Sequence, residues 1–199
     1  MAADPTDKPR HFFTLEEYFA LEHTGDARYE YWDGDIVCMS GGSRAHGRIV
    51  GNVFYWLSAR LIGGPCQVFT GDTAIRTDAA PPYRYPDVSV ACLEPKFETI
   101  RGVDAMVNPV LIVEVLSPTT EQLDRGPKFI AYQAIESFTE YLLVSPDAPG
   151  VRRYTRHPDG LWMPEDASET NTEVALESVG CSLALAEVYA NVRFDAVRK

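Results

Sequence analysis

Three residues carry the chemistry that this sequence can do. Glu114 interrupts the apolar run Val110, Leu111, Ile112, Val113, Val115, Leu116, which Pro109 and Pro118 bracket. A run of this length and β-branched content predicts a central strand buried on both faces. A buried, unpartnered carboxylate costs several kcal/mol or gives up its charge, so Glu114 needs a reason to be there. Asp87 follows Pro86 at the entry of a second short run, Val88 to Cys92. If the two strands are neighbours, the two carboxylates face one cation. Mg²⁺ is typically held in this way, by one or two carboxylates with water and phosphate oxygens completing the set. Lys128 lies in the first turn of a helix predicted to open at Pro127, a favoured first helical residue. A strand carboxylate, a polar loop from Ser117 to Gly126 and a helical lysine together describe the edge of an active site. Asp124 is placed to cap that helix or to orient Lys128. Tyr132 lies one turn beyond Lys128 and lines the same cleft, and Gln122 is a further candidate from the loop.

The elements that must position these groups are legible along the chain. Thr14 and Glu17 form a capping box for a short helix ending near Leu21 or Glu22. Asp33-Gly34 between apolar runs predicts a hairpin of Arg28–Trp32 with Asp35–Met39, and Glu30 sits in its first strand. Gly41 and Gly42 break the chain. Ser43 caps a helix from Arg44 to about Ile62, closed by Gly63-Gly64-Pro65, with Ile49, Val50, Val53, Phe54, Leu57 and Leu61 in its inward stripe. His46 falls in its first turn, where a hydrogen-bonding scaffold role is the commoner use of a lone histidine. Cys66–Thr70 and Asp72–Thr77 read as strands, 79–85 as a proline-rich loop delivering Asp87, and 94–108 as a charged excursion, either an ordinary surface loop or a substrate-facing flap. Pro127–Ile135 reads as a helix and Glu140–Ser145 as a buried strand. Val151–Thr155 with Leu161–Pro164 reads as a hairpin, Thr172–Glu177 as an edge strand, and Leu183–Val192 as a terminal helix capped by Ser182.

These segments run in an order that is similar to one nuclease group. Arg28-Tyr29-Glu30 with Asp33-Gly34, Ala45-His46, Tyr85-Pro86-Asp87-Val88, Val113-Glu114-Val115-Leu116-Ser117-Pro118, Asp124 with Lys128, and Glu140-Tyr141 resemble a large bacterial family of restriction endonucleases. That family belongs to the PD-(D/E)xK superfamily. The superfamily pattern puts lysine two residues after the acidic residue, and this chain has Leu116 there. Lys128 is the candidate replacement.

The resemblance implies an α/β fold: a restriction-endonuclease-like core with a mixed, bent β-sheet flanked by helices. It implies Mg²⁺- or Mn²⁺-dependent hydrolysis of DNA phosphodiesters. Asp87 and Glu114 would hold the metal with the Val115 carbonyl. Glu30 would be a third carboxylate beside it, binding metal or orienting water. Lys128 would stabilise the attacked phosphate or help activate water, and His46 would stand at the site edge against a phosphate. A homodimer suits cutting of both strands. A catalytically inactive nucleic-acid or protein interaction module on the same fold is the alternative, and so is a nuclease that acts only inside a complex.

Composition bounds these expectations. A length of 199 residues, 45% hydrophobic and 24% charged, suits a single globular domain with a polar tail over residues 1 to 12. No apolar run approaches the roughly 20 residues of a membrane span. Cys38, Cys66, Cys92 and Cys181 form no CxxC pair and read as free thiols of a reducing cytoplasm. The net charge of −11 argues against strong non-specific binding to nucleic acid, which needs Lys and Arg against phosphates. No GxGxxG, GxxxxGK[ST], HExxH or GxSxG motif occurs, and no cysteine–histidine set has zinc spacing. Paired carboxylates also serve glycosidases, but proline before Asp87 and lysine after Glu114 suit phosphodiester chemistry better.

Overall fold

A computed structural model describes residues 11–24, 27–39 and 42–194. The expected polar tail up to residue 10, and Gly41, lie outside them. The chain packs as two compact units, 1–40 and 41–199.

The first unit is a helix and a hairpin. Helix α1 spans Leu15–Thr24, and its start is closed reciprocally: Thr14 N donates to Glu17 Oε2 at 2.7 Å and Glu17 N donates to Thr14 Oγ1 at 3.2 Å. Strands β1 (Tyr29–Trp32) and β2 (Asp35–Cys38) pair antiparallel around Asp33-Gly34, both at positive φ, as a tight primed turn requires. Glu22 takes the Tyr29 N–H at 2.8 Å and the Tyr18 hydroxyl donates to the Tyr29 carbonyl, which docks α1 on the hairpin.

The second unit is built on a six-stranded mixed sheet. Helix α2 (Arg44–Leu61) is capped by Ser43, whose side chain accepts from His46 N at 3.1 Å. Strands β3 (Cys66–Thr70), β4 (Ala74–Arg76), β5 (Tyr83–Arg84) and β6 (Val88–Cys92) follow, then β7 (Phe97–Ile100), β8 (Val103–Met106) and β9 (Leu111–Val115). Helices α3 (Glu121–Arg125) and α4 (Pro127–Gln133) lead to β10 (Glu140–Val144), β11 (Val151–Arg156) and β12 (Trp162–Ala167). Strands β13 (Glu173–Leu176) and β14 (Cys181–Ala184) and helix α5 (Leu185–Val188) close the described chain. The main sheet runs β12-β11-β10-β9-β6-β3, and its β9–β10 pair is parallel. Strands β5-β4-β8-β7 form a second, smaller mixed sheet.

Alternation along β9 divides the core. Leu111, Val113 and Val115 pack with Ile49, Val53 and Leu57 of α2, while Ile112 and Leu116 pack with Phe129 and Tyr132 of α4. The sheet is thus sandwiched between helices, as the mixed α/β expectation requires. Burying Phe129 and Tyr132 contributes roughly 1.5–3 kcal/mol each. Phe129 stacks on Tyr141 with ring centroids 4.7 Å apart.

Four expectations need correction. The 94–108 segment is a hairpin of β7 and β8, turned by Arg101-Gly102 at φ +48° and +83°. Arginine is an uncommon guest at that turn, so the signal was hidden. The Ser117–Gly126 loop contains α3. Glu121 N donates to the Ser117 carbonyl at 2.9 Å, and Arg125 pairs with Glu121 across one turn at 2.8 Å. The terminal helix shrinks to four residues because Cys181–Ala184 pairs with β13, which is not an edge of the main sheet. Ser182 therefore caps nothing and its hydroxyl donates to Glu173 at 2.9 Å. Finally, Cys66 and Cys92 face each other across β3 and β6 and form a disulfide. That removes the free-thiol argument for a reducing compartment, while Cys181 stays free.

Candidate active site

The antiparallel β6–β9 register pairs Val88 with Val113. Asp87 immediately precedes β6, so continuing this register by one residue would set it beside Glu114. Asp87 Oδ2 accepts the Val115 N–H at 2.7 Å, which ties the strand entry to the residue after Glu114. Gly71 makes this approach possible: a Cβ there would lie 3.3 Å from the Pro86 carbonyl oxygen and 3.7 Å from Asp87 Cα.

Glu114 is inward on the α4 face and is met by two side chains of the crossover, Lys128 and Tyr132. Lys128 Nζ lies 2.9 Å from Glu114 Oε1, donates to the Tyr85 carbonyl at 2.9 Å, and lies 3.6 Å from Asp124 Oδ1. The Tyr132 hydroxyl donates to the same Glu114 oxygen at 3.3 Å. The side chains of Lys128 and Glu114 are 1% and 3% exposed, so their charges compensate each other with almost no water. Asp124 accepts from the Thr120 hydroxyl at 2.8 Å, and its carbonyl accepts from the Tyr141 hydroxyl at 3.0 Å. Burial first, then the charges of Glu114 and Asp124, hold the Tyr141 phenol well above its usual range and keep it a donor.

The water-facing side of the cluster is Asp87 and His46, with side chains 21% and 19% exposed. His46 Nε2 lies 3.5 Å from Asp87 Oδ2. Burial pulls the imidazole down, but the hydrogen bond and charge of Asp87 with the Val115 backbone outweigh it and raise it above its ordinary value of 6.5. Gly42 leaves room for this ring, since a Cβ there would lie 2.8 Å from His46 Nδ1.

Asp87, Glu114, Val115, Lys128, Asp124, Tyr132 and His46 are therefore one contiguous cluster. Gln122 is exposed on α3 and takes no part in the bonds that tie it together. Glu30 belongs to the first unit, where it is buried and accepts from Trp32 Nε1 at 3.2 Å. Sequence reasoning missed the Tyr85 carbonyl, Thr120 and Tyr141. The first is a backbone atom with no sequence signature. Thr120 stands four residues before Asp124 and eight before Lys128, a helical spacing that could have flagged it.

Among the described residues no group of three or more His, Cys, Asp or Glu side chains is arranged to hold a metal. The side-chain donors at the cluster are the Asp87 and Glu114 carboxylates, hard oxygens of the kind Mg²⁺ takes one or two of, and their chemistry suits a divalent cation of that class. No helix among the described residues is long and apolar enough to cross a membrane.

The comparisons agree with this architecture. The chain is 33% identical over 194 residues to the uncharacterized protein slr1290 of Synechocystis sp., covering 98% of this chain and all of that one. It is 31% identical over 161 residues to the uncharacterized protein sll1609 of the same organism, covering 81% and 90% of the two chains. A crystal structure titled as a putative nuclease belonging to DUF820, from Anabaena variabilis, superposes with a TM-score of 0.70 at 18% identity. It covers 89% of this chain and 98% of its own, and it shows a restriction-endonuclease-like fold for this chain. Residues 15–186 match the Uma2 family model, whose description reads "Putative restriction endonuclease", and the chain belongs to that family.

Proposed function

We propose that the protein is a metal-dependent deoxyribonuclease whose centre is the Asp87–Glu114 pair. The observation that carries the reading is the hydrogen bond from Val115 N–H to Asp87, which brings Asp87 beside Glu114 and its buried lysine. Asp87, Glu114 and the Val115 carbonyl would hold Mg²⁺ or Mn²⁺. Such a cation lowers the pKa of bound water and neutralises charge on a phosphate. Val115 N–H and His46 fix the direction of Asp87 from two sides. Two of the three Lys128 donors go to Tyr85 and Glu114, so Lys128 keeps Glu114 ionised and in one orientation. Its positive charge would also offset negative charge gathering on an attacked phosphate, and preoriented charge of this kind is often the largest catalytic contribution. Tyr132 shares the load on Glu114. A homodimer is the assembly we assign, because two strands call for two sites.

A second reading has its own support. The near-complete burial of Glu114 and Lys128 and the net charge of −11 also suit an interaction module that has closed an ancestral site. Incubating the purified chain with supercoiled plasmid, with Mg²⁺, Mn²⁺ or EDTA, separates the two. Nicking that needs the metal and falls by about 10²-fold or more in Asp87→Asn supports the nuclease. Intact plasmid and intact single strands under every metal condition support the module.

A further inference from the structure

The outer face of α2 carries an arrangement that the carboxylate cluster does not use. Arg44 and Arg48 stand four residues apart, and Gly47 and Gly51 share their face of the helix, all four exposed. Arg193 and Asn191, from the segment after α5, complete the wall of a hollow of about 540 Å³. That segment is pinned to the helix: Asn52 Nδ2 donates to the Val188 and Ala190 carbonyls, each at 2.9 Å. The floor is bare, since a Cβ at Gly47 or Gly51 would meet nothing within 4 Å.

Three guanidinium groups are thus gathered in a chain of net charge −11, and none forms an ion pair with a described residue. Like charges at i and i+4 oppose helix formation, and other arginines of this chain are instead matched by acids, as Arg76 is by Asp78 and Glu98, Arg125 by Glu121 and Arg152 by Asp166. The planar fork of arginine matches phosphate oxygens two at a time, and glycines let a backbone approach closely. His46 leaves the same turns of α2 on the opposite side, toward Asp87, so the hollow lies about one helix diameter, ~10 Å, from the proposed centre.

We infer that Arg44, Arg48 and Arg193 form a phosphate-binding track for the nucleic-acid backbone beside the cleavage centre. The inference rests on the nuclease reading for its substrate, but its binding test does not need cleavage. Fluorescence anisotropy with a labelled 20-mer, single-stranded and duplex, is measured in EDTA for the wild type and for the triple variant Arg44→Gln, Arg48→Gln, Arg193→Gln. The variant should melt like the wild type, bind at least about tenfold more weakly, and lose up to about 3 from the salt slope on duplex, at ~0.9 per phosphate. The triple lysine variant, which keeps the charge, should recover most of the binding. Unchanged affinity and slope in the glutamine variant overturn the track, even if plasmid is cut. Arginine-dependent binding without any cleavage keeps the track and removes the nuclease reading. If the variant instead abolishes self-association in sedimentation while leaving oligonucleotide affinity intact, the patch serves an acidic face of a second copy and the inference fails.

Discussion

Lys128 and Glu114 form a buried ion pair, 2.9 Å apart, between the first turn of α4 and the centre of the main sheet. The pair explains how a carboxylate survives in a strand otherwise made of leucine, isoleucine and valine. It also makes stability and chemistry inseparable at this position. Truncating one partner strands a charge in the core and should cost about 3–5 kcal/mol. Lys128→Met and Glu114→Gln should each lower the urea midpoint, and the double variant should be less destabilised than their sum by about 1–3 kcal/mol. Strictly additive losses would show that the two groups do not depend on each other.

Gly42 should matter through His46 rather than through folding. In Gly42→Ala the new methyl would crowd His46 Nδ1 and push the ring from Asp87. Misplacing a group at a reacting centre by about 1 Å costs up to ~10²-fold in rate. Metal-dependent cleavage should therefore drop while the melting temperature changes by only a few degrees. An unchanged rate would remove His46 from the site.

Glu140 sets a pH dependence away from the centre. Its carboxylate accepts from the Ser178 hydroxyl at 2.6 Å, and burial, only partly offset by Ser178 and Arg153, raises it above the ordinary 4.5. The folded state then holds this proton more tightly than the unfolded state does. The stability so contributed is full below pH 4.5 and is lost as pH rises through the folded value. Glu140→Gln should remove that decline and flatten the stability curve just above pH 4.5 relative to wild type. A steeper decline in the variant would contradict the assignment.

Asp87→Asn separates a metal site from a structural one. Asparagine keeps an oxygen for the Val115 N–H, and Asp87 is partly open to water, so the metal-free variant should lose about 1 kcal/mol or less. Wild type should gain about 1.4 kcal/mol at ten times the metal Kd, and the variant should lose most of that gain. A loss of 3 kcal/mol or more without metal, and no metal response in wild type, would make Asp87 a structural group.

Much of the fold was legible because its signals are local. The 3.6-residue stripe of Ile49, Val53 and Leu57, the Thr14–Glu17 box and the Asp33-Gly34 turn each name one element. The anomaly of Glu114 in an apolar run pointed to the centre, and Pro127 marked the helix that brings Lys128 back to it. What stayed hidden depends on pairing. The β13–β14 ladder overrode the helical reading of Leu183–Val192, because Val174, Leu176 and Leu183 bury together only as strands. The Cys66–Cys92 opposition required the β3–β6 register. The Tyr85 carbonyl is met by Lys128 only once the β6 entry and α4 are placed side by side.

Diffraction from crystals soaked in Mn²⁺, recorded for its anomalous signal, addresses the central claim most directly. A peak held by carboxylate oxygens of Asp87 and Glu114 and by the Val115 carbonyl is expected, absent from Asp87→Asn crystals soaked in the same way. Mn²⁺ bound elsewhere in the crystal, with no peak at these carboxylates and with Lys128 still on Glu114, would contradict it.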